Sequence, residues 1–232
     1  MPYIFIGFAF GFAIPYLARR FSKFMPATFA CALYRIFRPN KTVSKEKRKN
    51  NHKYNLLCHR YFMRSLGWGI ITAATIYLAS LVLPENETPW IAFFIIMLYT
   101  LMEIDKRMLL LPDILTVPLL IVGFSYAVFA GGMLGYEPAA SANSALGAAA
   151  GYVIPVIASL FLIKKYPEAF GGGDIKLLSA VGSWVGLTNI PYVILLSCLL
   201  FAVSCFINKQ RQGAFGPSIV IASLIILFLS EY

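Results

Sequence analysis

Three glycines run into an aspartate at Gly171-Gly172-Gly173-Asp174, and Ile175-Lys176 lead on into an apolar run from Leu177 to Leu187. Long apolar segments flank this stretch on both sides, so the Asp174 carboxylate falls at or inside a membrane boundary. A carboxylate is costly there, which makes it a functional-site candidate by default. Glycine removes side-chain bulk and permits positive φ, so another chain can approach the backbone beside the acid. Asp174 can also act as a helix N-cap, where its side chain accepts backbone N–H groups and its charge meets the helix dipole. The two roles are compatible. A second acid, Asp105, closes the sequence Met102-Glu103-Ile104-Asp105 at the end of another apolar segment. Two carboxylates a few ångströms apart do not both ionise easily and tend to share one proton. The charged member can take a proton from water while the protonated member polarises a peptide carbonyl. That is general acid–base hydrolysis without a covalent intermediate, and such a pair titrates as a unit.

The remaining acids have plainer readings. Asp105 itself could pair with Lys106 or Arg107 as an interfacial anchor. Asp113 follows Pro112 and precedes an apolar segment, so helix capping is its expected job. Glu103 reads as a snorkelling carboxylate at a helix end, and Glu168 as a solvated loop residue. Trp68, Trp90 and Trp184 read as packing between spans or as interface belts.

Composition sets the class of scaffold that must carry these groups. Hydrophobic residues make up 59% of the 232, mean hydropathy is +0.73, and only 13% are charged. Soluble domains carry about a quarter charged residues. The expected fold is all-α, a polytopic membrane helix bundle of about eight transmembrane helices. The net charge of +10 follows the positive-inside rule rather than any need to bind nucleic acid. Cys31, Cys58, Cys198 and Cys205 are scattered, and none forms a C-x-x-C pair, so neither a zinc site nor a disulfide framework is indicated.

Residues 2–18 are apolar and are followed by Arg19, Arg20 and Lys23. A cleavable signal carries its charge before the apolar core. This segment is therefore expected to be an uncleaved first span, short against the usual length of about 20 residues. Residues 19–65 hold 13 of the 20 Lys and Arg and read as a basic cytoplasmic loop or small subdomain. Its charge suits anionic lipid headgroups, and Phe21, Phe24, Met25, Phe29, Leu33 and Phe37 suit an amphipathic helix lying on the membrane. His52 and His59 read as solvated. Seven further spans are expected near 66–83, 90–104, 114–132, 143–163, 174–187, 190–207 and 217–231, forming a membrane domain over 66–232. With both termini outside, the inside segments 19–65, 105–113, 164–173 and 208–216 contain every Lys and Arg except Lys176, which lies just beyond such a boundary. The outside loops, with Glu85, Glu87 and Glu137, contain none. Independent spans thus bring Asp105 and Asp174 to one cytoplasmic level.

At these residues the sequence resembles the type IV prepilin peptidases, aspartic proteases of the G-x-G-D class. Gly171-x-Gly173-Asp174-Ile175-Lys176-Leu177-Leu178, with Ala180-x-Gly182 and Gly186 beyond, is similar to their second catalytic motif. Ile104-Asp105, followed by Leu111-Pro112-Asp113-x-Leu115-Thr116, is similar to their first. Phe215-Gly216-Pro217 is similar to their C-terminal pattern, and the likeness covers residues 66–232. The resemblance implies catalysis by Asp105 and Asp174, supported by Gly171, Gly172, Gly173, Lys176, Pro112 and Asp113. It implies a multi-pass protein of the bacterial inner (cytoplasmic) membrane whose site faces the cytoplasm. The substrate would be a prepilin or pseudopilin, cut after a glycine between a basic leader and an apolar helix. Flanking spans could admit that helix laterally. A basic leader would, however, meet a basic loop.

Residues 19–65 depart from the family pattern. Many members carry two C-x-x-C pairs there, thought to hold zinc, and methylate the new N-terminus with S-adenosylmethionine. Only Cys31 and Cys58 stand in this region, so neither zinc nor S-adenosylmethionine is expected as a cofactor. A carboxylate-dependent ion or proton transporter is the competing class, although both aspartates lie at one face and away from the midplane. A non-catalytic assembly factor for a pilus or secretion machine is a third.

Overall fold

A computed structural model of the chain describes residues 2–24, 52–131, 139–162, 171–209 and 213–229. These form seven α-helices and no strand among the described residues: α1 (Pro2–Phe24), α2 (His52–Val82), α3 (Thr88–Met108), α4 (Asp113–Ala130), α5 (Ala140–Leu162), α6 (Gly172–Asn208) and α7 (Gly216–Leu229). Six are long and apolar enough to cross a membrane, and α7, with 14 residues, is shorter. The molecule is the polytopic helical bundle that its hydropathy demands.

Helix α3 is the most enclosed element and packs against α1, α2, α4 and α7. Ile91, Phe94, Ile95, Leu98 and Leu101 are fully buried along it. The turn before α3 is closed by Glu87 and Thr88 N–H groups bonded to the Pro84 carbonyl. Tyr126 of α4 donates to Glu87 at 2.6 Å and stacks with Trp184 of α6, whose indole N–H donates to the Leu119 carbonyl. Trp184 is thus a core residue joining α4 and α6. Helices α5 and α6 approach backbone to backbone: a Cβ at Gly147 would collide with the Gly182 carbonyl, and one at Gly182 with that of Gly147. Small residues at such crossings are the usual device for close packing in membranes.

Helix α1 continues past residue 18, where the apolar run ends. Phe21 is buried with Ala18 against Ile104 of α3, and the Arg19 guanidinium lies 5.0 Å from the centre of the Tyr61 ring. Contacts of this kind extend the helix to Phe24 and hold Phe21 in the bundle rather than on a membrane surface. At the other end of the basic stretch α2 begins at His52, well before the expected start at residue 66. Phe29, Leu33, Phe37 and Cys31 lie outside the described residues, as do the side chains of Phe24, His52 and Cys58. Glu137, expected in an outside loop, lies outside them as well.

Helix α6 contains one residue with non-helical torsions, Gly186, at φ 76° and ψ 177°. Chain geometry shows that the helix is not straight there. A straight α6 would carry Asn208 about 50 Å from Asp174. Yet Gly216 hydrogen-bonds Asp105, which is within electrostatic reach of Asp174. The eight steps from Asn208 to Gly216 cover at most about 29 Å. A sharp bend at Gly186 satisfies both. Positive φ calls for glycine at this point, and Asn143 of α5 accepts the N–H of Leu187 at 2.9 Å. The expected joint between 187 and 190 corresponds to this break.

Candidate active site

Asp105 lies in the last turn of α3. Leu109 ends the helix in the left-handed conformation, its N–H bonded to the Asp105 carbonyl at 2.9 Å. The Asp105 side chain points inward and the residue is 4% exposed. Its Oδ2 accepts the Gly216 N–H, at the start of α7, at 2.8 Å. The anticipated partner Arg107 is engaged elsewhere: its Nε donates to Glu103 Oε1 at 2.9 Å, and Arg64 of α2 donates to the same oxygen at 2.7 Å. Glu103 is 1% exposed, so it is a buried ion-pair centre and not a snorkelling group. A buried carboxylate is retained when it is paired and hydrogen-bonded in this way.

Asp174 stands at the third position of α6. The N-cap is Gly171, in extended conformation, whose carbonyl accepts the Asp174 N–H at 3.0 Å. The Asp174 carboxylate turns back toward this cap and meets the Gly171 N–H. It therefore helps to satisfy the exposed first turn without being the cap itself, and its charge lies at the favourable end of the helix dipole. The Asp174 and Asp105 carboxylates are close enough to repel each other. Sequence positions 69 residues apart thus come within electrostatic reach of each other where α3, α6 and α7 converge.

The supporting residues gather around this pair. A Cβ at Gly173 would lie 3.0 Å from the Leu111 side chain and 3.3 Å from its backbone nitrogen. Gly173 has ordinary helical torsions, so close approach rather than positive φ explains the glycine. Gly171 and Gly172 are exposed, and nothing lies within 4 Å of a Cβ at Gly172. Pro112, buried and extended, is the N-cap of α4. Asp113 is therefore inside α4. It bonds Lys176 Nζ through both carboxylate oxygens, at 2.8 and 2.7 Å. Arg64 and Gly216 are the additions to the expected set. Gly216 was visible in the pattern Phe215-Gly216-Pro217, whereas Arg64 carried no signal beyond its charge.

An apolar pocket of about 400 Å³ lies between α2, α3 and α7, with Trp68, Tyr99, Met102, Leu224 and Phe228 among its walls. Met102 stands one turn before Asp105 on α3. No group of three or more His, Cys, Asp or Glu side chains able to hold a metal occurs among the described residues.

Residues 92–206 match the model of the type IV leader peptidase family. A prepilin leader peptidase/N-methyltransferase of Vibrio cholerae serotype O1 is 30% identical over 181 residues, 72% of this chain and 65% of the relative. This chain belongs to the type IV leader peptidase family. Similarly named relatives of Xanthomonas campestris pv. campestris and Neisseria gonorrhoeae are 42% identical over 134 residues and 30% identical over 138. The chain spans 65%, 44% and 46% of the lengths of these three relatives. No solved structure matches it. The segment matched by the family model takes in both aspartates and the break at Gly186, and it ends before Gly216.

Proposed function

We propose that the chain is an aspartic endopeptidase that removes the basic leader of type IV prepilin-like proteins. The observation that carries this reading is the convergence of Asp105 and Asp174 at one end of the bundle, within a family named for leader peptidases. One carboxylate takes a proton from water, and the resulting hydroxide adds to the carbonyl carbon of the scissile bond. The other, protonated, hydrogen-bonds the carbonyl oxygen and gives up its proton as the tetrahedral species forms. The proton captured from water passes to the departing amine as the C–N bond breaks, while the second carboxylate takes a proton back from a hydroxyl of the collapsing tetrahedral species, which returns the pair to its starting state. The apolar pocket beside Met102 is suited to the apolar helix that follows the scissile glycine. On the charge distribution, the site faces the cytoplasm, both termini lie outside, and the bundle resides in the bacterial inner membrane. Anionic lipid is the proposed partner of the basic stretch 19–65.

Cleavage is tested with purified protein and a prepilin bearing a basic leader. Wild-type protein is expected to release the leader, and Asp174→Asn and Asp105→Asn to release none while inserting normally. Processing by either variant would sink the two-carboxylate mechanism. No cleavage by the wild type would favour the transporter or assembly-factor classes.

The curated relatives are also named N-methyltransferases. We infer that this chain holds no structural zinc and supports little or no N-methylation. A closed zinc site needs four ligands. The basic stretch offers only Cys31, Cys58, His52 and His59, with Cys31 standing 21 positions before His52. One zinc per purified chain would overturn the first inference. A methylated N-terminus on pilin matured by this protein alone would overturn the second.

A further inference from the structure

Gly216 opens α7 in the sequence Phe215-Gly216-Pro217-Ser218-Ile219. The first turn of a helix leaves its N–H groups without helical partners. Here three of the four positions are accounted for. Pro217 has no N–H, and the Ser218 and Ile219 N–H groups both bond the Phe215 carbonyl, at 3.0 and 3.2 Å. The remaining donor, on Gly216, is directed at Asp105 Oδ2. No other donor to the Asp105 side chain occurs among the described residues.

The glycine itself has a reason that the backbone does not supply. Gly216 is not among the residues with positive φ, so alanine would be tolerated on torsional grounds. A Cβ there would lie 2.7 Å from Asp105 Oδ2 and 3.1 Å from its Cβ and Cγ. The acid, not the turn, excludes a side chain. The preceding residue is held in turn by the rest of the fold, since the Phe215 ring meets Phe201 edge-on at 5.2 Å. Phe201 lies on the part of α6 beyond the break at Gly186. The helix that carries Asp174 thereby also fixes the donor that orients Asp105.

We propose that Gly216 is a positioning residue of the aspartate pair: its N–H holds Asp105 Oδ2 so that Oδ1 is presented to water and to Asp174. This rests on the peptidase reading above. It adds a third chain segment, outside the matched region 92–206, to the two that carry the acids. The N–H favours one rotamer of the Asp105 side chain, which is orientation supplied before the substrate arrives.

The test uses the full-length chain, purified, with a synthetic precursor of basic leader, glycine and apolar helix. Gly216→Ala is expected to lower kcat by about tenfold or more with KM within twofold of wild type. It is also expected to lower Tm in the wild-type background and not in an Asp105→Ala background, where the obstructing carboxylate is gone. Replacement of Gly216 by glycolate, introduced by nonsense suppression, swaps the N–H for an ester oxygen and adds no bulk. The same loss of kcat with unchanged KM is expected. Undiminished kcat in the glycolate protein overturns the proposal, as does an equal loss of Tm from Gly216→Ala in both backgrounds. If the wild-type protein fails to cleave, the peptidase reading falls, while the Tm comparison still decides whether Gly216 and Asp105 are coupled.

Discussion

Lys176 Nζ bonds both carboxylate oxygens of Asp113, at 2.8 and 2.7 Å, and so joins the first turn of α6 to the first turn of α4. Lys176 is two residues beyond Asp174, and Asp113 follows the loop that packs on Gly173. The two side chains are 48% and 60% exposed. Exposed ion pairs contribute about 0.2–1 kcal/mol, so this one is a weak staple whose value lies in where it is placed. Asp113→Ala and Lys176→Met are each expected to leave Tm nearly unchanged and to lower kcat/KM by about three- to tenfold. Asp105→Ala is expected to abolish cleavage under the same conditions. The exchanged pair, Asp113→Lys with Lys176→Asp, should recover most of the rate. A more severe effect at Asp113 than at Asp105 would mean that the wrong acid has been assigned to the chemistry.

Gly173 tests how tightly the loop after α3 must pack on α6. A methyl group at this position meets Leu111 at 3.0 Å, which a small shift of the loop can relieve. A branched side chain cannot be relieved so easily, and overpacking of this kind costs about 1–3 kcal/mol. Gly173→Ala is expected to keep partial activity, and Gly173→Val to lose it while the protein still accumulates in the membrane. Wild-type turnover in the valine variant would reduce this glycine to a spacer.

Much of this architecture was legible because a membrane limits the choices. Apolar runs fixed the helices, and the two acids stood out because charge is rare in such runs. The helix ends were harder to read. Hydropathy falls at Arg19, yet α1 continues to Phe24 because Phe21 is buried against Ile104, a contact invisible to a one-dimensional profile. Glu103 read as an end-of-helix carboxylate because its partner Arg64 is 39 residues away. Asp113 read as a cap, but Pro112 occupies the cap and leaves the acid free for Lys176. The glycines of the G-x-G-D run were read both as bare backbone open to close approach and as sites of positive φ; Leu111 packs closely on Gly173, whereas Gly186 and not Gly173 carries the positive φ.

Gly186 is accordingly the glycine at which torsion decides. A side chain there is strained by the φ of 76° and would also collide with Asn143. The strain alone is about 1 kcal/mol or more. Gly186→Ala is expected to lower Tm by several degrees, and Asn143→Ala to do so to a smaller extent by removing the acceptor for Leu187 N–H. Because the bend sets where α7 begins, Gly186→Ala should also reduce cleavage, despite lying 12 residues along α6 from Asp174. An alanine variant with unchanged Tm and rate would show that the bend does not depend on this residue.

The last expectation concerns the buried carboxylate that the proposed chemistry does not use. Glu103 Oε1 takes both Arg64 from α2 and Arg107 from its own helix. Removing the partner of a fully buried charge costs about 3–5 kcal/mol. Here the residues left behind would be arginines that are 50% and 22% exposed, and water can solvate them in part. Glu103→Ala is therefore expected to cost less, about 1–3 kcal/mol, read as a fall in Tm. Arg64→Ala should cost less again, since Arg107 still satisfies the acid. Both variants should cleave at low temperature, because Glu103 bonds only these two arginines among the described residues. A loss of kcat in Glu103→Gln without loss of Tm would instead tie this group to the reaction at Asp105.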